Sequence, residues 1–260
     1  MDTASGLEPQ ASGGIMDTII TLDSVTKTFR DGHRLVTAVE NISLEIGRGE
    51  FFVFLGPSGS GKSTILRIMS GLEKSYHGAV RLAPEVDRND ISFVFQQFAL
   101  WPWLTVYDNI GIGLVARHAP ASLIRERVGR ELDRFGLAKF ARSFPRELSG
   151  GMRQRVGIAR ALATDPKIMF MDEAFSELDS FTAAALRRDI LEIWNQTKPT
   201  IIMVSHLIPE AIELADRIAV LTVHPGRIEK IVGITLPRPR AKRSKEFFVL
   251  EDYLYSLVSP

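Results

Sequence analysis

The segment Gly56-Pro57-Ser58-Gly59-Ser60-Gly61-Lys62-Ser63-Thr64 constrains this chain most, because it matches the phosphate-binding pattern G-x-x-x-x-G-K-[ST] without a mismatch. The apolar run Phe51-Phe52-Val53-Phe54-Leu55 leads into it like a buried parallel strand, and Ser63 to Met69 follows with the apolar spacing of a helix. A strand, a glycine loop and a helix start present a row of backbone N–H groups at the positive end of a helix dipole, where a triphosphate's charge settles. Glycines let the main chain approach closely, since a Cβ would collide with the phosphates. Lys62 is expected to reach the β- and γ-phosphates, and the Ser63 hydroxyl to hold Mg²⁺. The pattern predicts that the chain binds nucleotide.

Its 260 residues, 45% hydrophobic, suit one large globular domain or one with an inserted subdomain. A formal charge of +1 argues against nucleic-acid or anionic-membrane binding driven by net charge. The absence of cysteine excludes disulfides and Cys-zinc sites and fits a cytosolic protein. No apolar run approaches the ~18 residues of a membrane-spanning helix, and the N-terminus lacks a charged-then-apolar signal segment.

Along the chain, residues 1–17 are rich in Gly, Ser, Ala and Asp without periodicity and read as a disordered leader. From Thr18 to Ile46 the sequence is strand-like, with a turn at Asp31-Gly32. It predicts an antiparallel sheet that continues through Ala79–Leu82 and Ile91–Phe95. Residues from about 97 change character: Ile124, Val128, Leu132 and Phe135 recur with a helical period, which predicts a helical insert. Strands at Lys167–Met171, Thr200–Val204 and Arg217–Val223 then alternate with helices marked by Leu186, Ile190, Ile193 and Trp194 and by Ala211–Ala215. That alternation implies crossover units and a parallel sheet. Pro237 to Arg243 reads as an extended basic linker and 245–258 as a short closing helix.

The strand Ile168–Met171 ends in Asp172-Glu173. A carboxylate at a strand's C-terminal tip can join the Mg²⁺ shell opposite Ser63, and Glu173 then stands where a base polarises an attacking water. Leu148-Ser149-Gly150-Gly151-Met152-Arg153-Gln154-Arg155 begins a helix, with Ser149 as N-cap and Met152, Val156, Ala159 and Ala163 on one face. Two glycines at a helix start form a second anion site by the same physics as the first. Gln96 and His206 are single polar residues after strands; they are either satisfied structural groups or members of the crevice at the strands' C-terminal ends.

With these residues in order, the chain resembles the ATPase subunits of ATP-binding cassette (ABC) transporters over roughly residues 18–236. The resemblance rests on the phosphate loop 56–64, Gln96 (Q-loop), Leu148–Met152 (signature), Asp172-Glu173, Ser176-Glu177-Leu178-Asp179 (D-loop) and His206 (switch). It implies an α/β fold: a P-loop nucleotide hydrolase core with an antiparallel β subdomain and an inserted α-helical signature subdomain, about 97–165, followed by a basic linker and short helix at 237–260. It implies that Phe29 stacks on adenine, that Gln96 and His206 sense the γ-phosphate and metal, and that Gln96 joins Ser63 and Asp172 around Mg²⁺. It also implies that two subunits pair head to tail, with each ATP between one subunit's Lys62 loop and the other's Ser149-Gly150-Gly151 and Asp179. Met152, Ala174, Glu177 and Leu207 depart from the family's commoner Gln, Pro, Ala and Asp; the first two remove neither a phosphate donor nor the base, and the last two are positioned to tune rate or coupling.

The narrower resemblance is to importer ATPases of the nitrate, sulfonate and taurine group, through Gln97 to Val106 with Asp108-Asn109, through Leu148 to Val156, and through His224–Ile228 and Leu236–Arg240. It implies a homodimeric ATPase on the cytoplasmic membrane face, permease subunits docking near Gln96–Leu104, a solute-binding protein as indirect partner, and no nucleic acid. Trp101 and Trp103 either line that docking groove or pack into the helical subdomain. Residues 238–245 either face anionic headgroups or are solvated. A non-transport cassette ATPase is disfavoured, because too short a stretch separates phosphate loop and signature for a long coiled-coil insertion. A degenerate regulator is opposed by the presence of both Lys62 and Glu173.

Overall fold

The computed structural model describes residues 17–32 and 34–258. All but the last residue of the expected leader, residues 1–16, lies outside the described residues. Asp17 is tied down: its carboxylate accepts from Arg48 Nε at 2.6 Å and its carbonyl from Arg48 N–H at 2.8 Å. The described residues form two compact units, one of those up to 83 with those from 203 on, the other of 84–202.

In the first unit, β1 (Thr18–Asp31), β2 (Arg34–Gly47) and β4 (His77–Leu82) make a three-stranded antiparallel sheet in the order β2-β1-β4. Its buried side is built from Ile20, Leu22, Val25, Ile42, Leu44 and Ile46, the alternating apolar positions of strands buried on one face. Between β2 and β4 the chain passes through β3 (Phe51–Leu55) and α1 (Lys62–Met69). All five residues of β3 are buried, as a strand covered on both faces requires. It pairs in parallel with β8 (Arg217–Leu221), which pairs antiparallel with β9 (Ile228–Gly233). The helix α6 (Ile208–Leu214) packs on β3, and α7 (Lys245–Val258) packs on α6 and β8 through the buried Phe247 and Leu254.

In the second unit, β5 (Ile91–Val94) pairs in parallel with β6 (Ile168–Asp172). Residues 91–95 do not continue the antiparallel sheet as the sequence predicts; Phe93 stacks against Phe170 of β6, ring centroids 6.3 Å apart. β5 carries apolar residues at both parities, Ile91 and Phe93 on one and Val94 on the other, so its pattern does not distinguish the two sheets. The helices α2 (Val106–Ala116), α3 (Ala121–Arg134) and α4 (Gly150–Leu162) pack together, with single 3₁₀ turns at 138–140 and 145–147. Val128, Leu132 and Phe135 are buried as the period of α3 predicts. The long α5 (Ser180–Thr197) buries Leu186, Ile190, Ile193 and Trp194, and β7 (Thr200–Ser205), buried throughout, spans the division between the units.

The basic segment after β9 is not a solvated linker at its centre. Arg240 is 9% exposed and donates to the carbonyls of Ile212, Ala215 and Leu236, the last two at 2.6 and 3.0 Å. Arg238 pairs with Asp216 at 2.6 Å and donates to Leu214 O. Two arginines thus satisfy the terminal carbonyls of α6, which lack partners inside their own helix. Lys242 pairs with Glu213 at 2.8 Å, whereas Arg243 and Lys245 are exposed.

Candidate nucleotide-binding site

In the first unit the phosphate loop leaves β3 and enters α1 through Gly59 and Gly61, at φ +82° and +81°. A Cβ on Gly61 would stand 2.4 Å from Val39 Cγ1 and 2.6 Å from Ala38 O, so β2 fixes the loop at a distance only glycine tolerates. Gly61 caps α1 without any side-chain hydrogen bond, at a helix start of the kind that receives anions. The Lys62 ammonium is buried and donates to Gly56 O at 2.8 Å and Pro57 O at 2.9 Å, folded along the loop it serves. Ser60 Oγ is buried without a partner, while Ser58 and Gly59 are exposed at the tip. Pro57, Ser63 and Thr64 are half-buried. These donors fit a triphosphate: a fixed nest of N–H groups, an ammonium able to swing from carbonyl to phosphate, and hydroxyls at the helix start.

Phe29 lies on β1 with 42% of its surface exposed, and Lys27 Nζ sits 4.6 Å from its ring centroid. His206 is exposed at the end of β7. Beside it Ser205 Oγ accepts from Leu207 N–H at 3.0 Å and donates to Glu210, which pins the entry to α6.

In the second unit the signature and D-loop residues line one cleft of about 570 Å³, including Ser149, Gly150, Gly151, Arg155, Glu177 and Asp179. Ser149 Oγ accepts from Met152 N–H at 3.3 Å, as a helix N-cap should. A Cβ on Gly151 would meet Thr182 Cγ2 at 2.6 Å, whereas one on Gly150 would meet nothing within 4 Å. Asp179 accepts from the N–H groups of Phe181 and Thr182, both at 3.0 Å, and caps α5. Its hydrogen bonds with Thr182 come first among the causes that hold its carboxyl below the usual range. Gln96 Nε2 reaches Glu177 Oε1 at 3.4 Å, so the Q-loop and D-loop residues meet within one chain.

Asp172 is buried at the tip of β6, and Glu173 follows it at φ +44°, a left-handed conformation that turns the chain sharply. Ser176 N–H and Oγ both bond Glu173 O, at 3.1 and 2.9 Å, and lock that turn. Among the described residues no group of three or more His, Cys, Asp and Glu side chains could hold a metal ion. A divalent ion at Asp172 would therefore draw the rest of its shell from hydroxyl or amide oxygens, water and phosphate, the habit of Mg²⁺.

Three residues, Arg160, Arg153 and Asn109, make contacts that no sequence pattern announces. Arg160, on α4, donates to Ala99 O at 2.6 Å and Phe98 O at 3.1 Å, while Arg153 stacks on the Phe98 ring at 5.3 Å. Phe98 and Ala99 both have positive φ, so the signature helix braces a strained loop directly after Gln96. The buried Asn109 accepts from Trp101 N–H at 2.8 Å and donates to Trp101 O, Leu104 O and Thr105 O. This holds Trp101 and Trp103, edge to face at 5.5 Å, exposed on the surface; they do not pack into the helical bundle. Among the described residues no helix is long and apolar enough to cross a membrane.

The ABC transporter family profile matches residues 39–176. The aliphatic sulfonates import ATP-binding protein SsuB of Bacillus cereus is 40% identical over 231 residues, 88% of this chain and 91% of that protein. The nitrate import ATP-binding protein NrtD of Synechocystis is 36% identical over 252 residues, 91% of this chain and 94% of that protein. A solved dimer of an ATP-binding cassette, in a post-hydrolysis state bound to ADP and phosphate, superposes with a TM-score of 0.74 at 34% identity, covering 84% of this chain and all of that one. Phosphate loop, signature and paired acids therefore sit in the α/β P-loop fold of an ATPase, and the chain belongs to the ABC transporter family as one of its ATP-binding cassettes.

Proposed function

We propose that this chain is the ATP-hydrolysing subunit of an importer of small oxyanions of the nitrate and sulfonate type. It works as a head-to-tail pair on the cytoplasmic face of a membrane permease. Its similarity to SsuB and NrtD along nearly their whole lengths supports the substrate class. The observation that carries the reading is the phosphate loop, glycine-tight against β2 and opening onto an uncapped helix start beside Lys62.

In this reading the N–H groups of residues 58–64 and the Lys62 ammonium hold the triphosphate, Phe29 stacks on adenine, and Ser63, Gln96 and Asp172 carry Mg²⁺. The cation would offset charge on the phosphates. Glu173 orients water and takes its proton, and His206 holds the γ-phosphoryl. Ser149, Gly150, Gly151 and Asp179 of one copy meet the nucleotide bound by the other, which is supported by the cleft those residues share. Permease subunits dock at 96–104, supported by the exposed Trp101–Trp103 pair that Asn109 anchors; a solute-binding protein acts indirectly and nucleic acid has no part. In this organisation 18–236 is the ATPase domain and the arginine-anchored 237–260 is its tail.

Driving such a pair from mostly open to mostly closed takes about 5.5 kcal/mol of differential binding. A few charge-assisted bonds at ~1.5–3 kcal/mol each, made only in the closed pair, suffice. Glu173→Gln is expected to slow ATP turnover by ~10²–10⁴ while preserving ATP binding. Undiminished turnover would reject Glu173 as the base.

A further inference from the structure

The loop after β8 is built against the phosphate loop. Because β3 and β8 are parallel, both deliver their following loops to the same sheet edge, where ligands bind in open α/β sheets. A Cβ on Gly226 would fall 2.1 Å from Ser60 O and 3.0 Å from Ala38 O, so only glycine permits this approach. Gly226 N–H donates to Ala38 O at 3.0 Å, and Glu40 N–H donates to Gly226 O at 2.9 Å. Thr222 closes the loop on itself: its N–H donates to Arg227 O, its hydroxyl donates to Pro225 O, and its Oγ accepts from Arg227 N–H, each at 3.0 Å.

This clamp holds one titratable side chain beside the loop tip. The His224 ring stands with Cε1 3.7 Å and Nε2 4.0 Å from the position a Gly59 Cβ would take. The residue is exposed and sits at φ +53°, a backbone conformation imposed by the clamp. Among the described residues its ring makes no hydrogen bond or ion pair. The charged groups on the elements it packs against are already engaged. Glu40 of β2 is paired with Arg227 Nε at 2.8 Å, and Lys62 of the phosphate loop is turned onto Gly56 O and Pro57 O.

We propose that His224 is a nucleotide-contacting residue, its imidazolium donating to a phosphate oxygen of the ATP held by the 56–64 loop. The proposal rests on that loop being the triphosphate site. A rigid mount, an unpartnered ring and a position beside exposed Gly59 leave the imidazole facing the anion the loop collects. A protonated imidazole adds a positive charge to that hydrogen bond, so the contact strengthens nucleotide binding whenever the ring carries its second proton.

The test is calorimetric ATP binding with Mg²⁺ at about pH 6 and about pH 8.5, comparing wild type, His224→Asn, His224→Lys and Lys62→Ala. Asn tolerates positive φ and carries no charge, so it keeps the clamp and removes the contact. His224→Asn should weaken ATP binding about two- to five-fold at the lower pH and much less at the higher. His224→Lys should restore affinity at both, since its charge persists. A His224→Asn affinity equal to wild type at both pH values, or a loss of the same size at both, overturns the proposal. Lys62→Ala separates the two levels: if it still binds ATP like wild type, the triphosphate site itself is misassigned, whatever His224 does.

Discussion

Arg240→Met tests whether the C-terminal segment is structural. Burial, the largest cause, with Arg238 nearby, lowers the Arg240 guanidinium to about 10, so it remains cationic at neutral pH. Methionine keeps much of the apolar stem and removes every donor. The carbonyls of Ile212 and Ala215 at the end of α6 then lose their charged partner, as does Leu236 O. An unsatisfied buried carbonyl costs about 1–3 kcal/mol, and relief from burying the cation offsets part of the sum. A net loss of about 2–4 kcal/mol follows, which for a domain of this size lowers Tm by roughly 4–16 °C. Differential scanning calorimetry without nucleotide reads it directly, since bound ATP would mask the change by mass action. The linkage sign adds a check. Folded and unfolded states both carry the proton below about pH 9, so Arg240 gives wild type no stability slope there, and the Arg240→Met deficit should be constant from about pH 6 to 9. A Tm within about 1 °C of wild type would show that water or neighbouring backbone satisfies those carbonyls and that the segment is a tether after all.

Arg160→Met removes two charge-assisted bonds to Phe98 O and Ala99 O, worth about 2 kcal/mol of local stability, so amide exchange across 98–104 should accelerate about 10–30-fold; unchanged exchange would show that the loop holds itself. Gly61→Ala combines a left-handed backbone with a Cβ 2.4 Å from Val39 Cγ1. It should cost about 2–4 kcal/mol and weaken ATP binding more than about ten-fold, and normal affinity in calorimetry would mean the loop is not the site.

What the sequence revealed and what it hid divide along a physical line. The phosphate loop, the Ser149 cap and Asp172-Glu173 were legible because each is a local backbone geometry that demands particular residue types within a few positions. Gly61 must be glycine, and Ser149 must carry a short oxygen. The partner of β5 was hidden because Ile91, Phe93 and Val94 put apolar side chains at both parities and pairing is decided by residues more than seventy positions away, at Ile168–Met171. The anchoring of Arg240 was hidden for a different reason. Its partners are main-chain carbonyls, which every residue carries and no side chain announces. The same holds for Arg160 on Phe98 and Ala99. His224 lay in a segment that marked the family resemblance, but its closeness to Gly59 exists only because β3 and β8 run parallel. The exposure of Trp101 and Trp103 has no local sequence signal, because it depends on Asn109 tying down the backbone of Trp101 and Leu104 from a neighbouring helix.

The central claim is that ATP closes two copies around a site completed by the signature helix. Light scattering of Glu173→Gln protein, with and without ATP and Mg²⁺, tests it most directly. The account predicts a monomer that becomes a dimer on adding ATP, and a folded monomer that stays monomeric when Ser149→Arg is added, since Ser149 is exposed in the cleft it would block. A monomer with ATP present, or a dimer indifferent to the arginine, would contradict it.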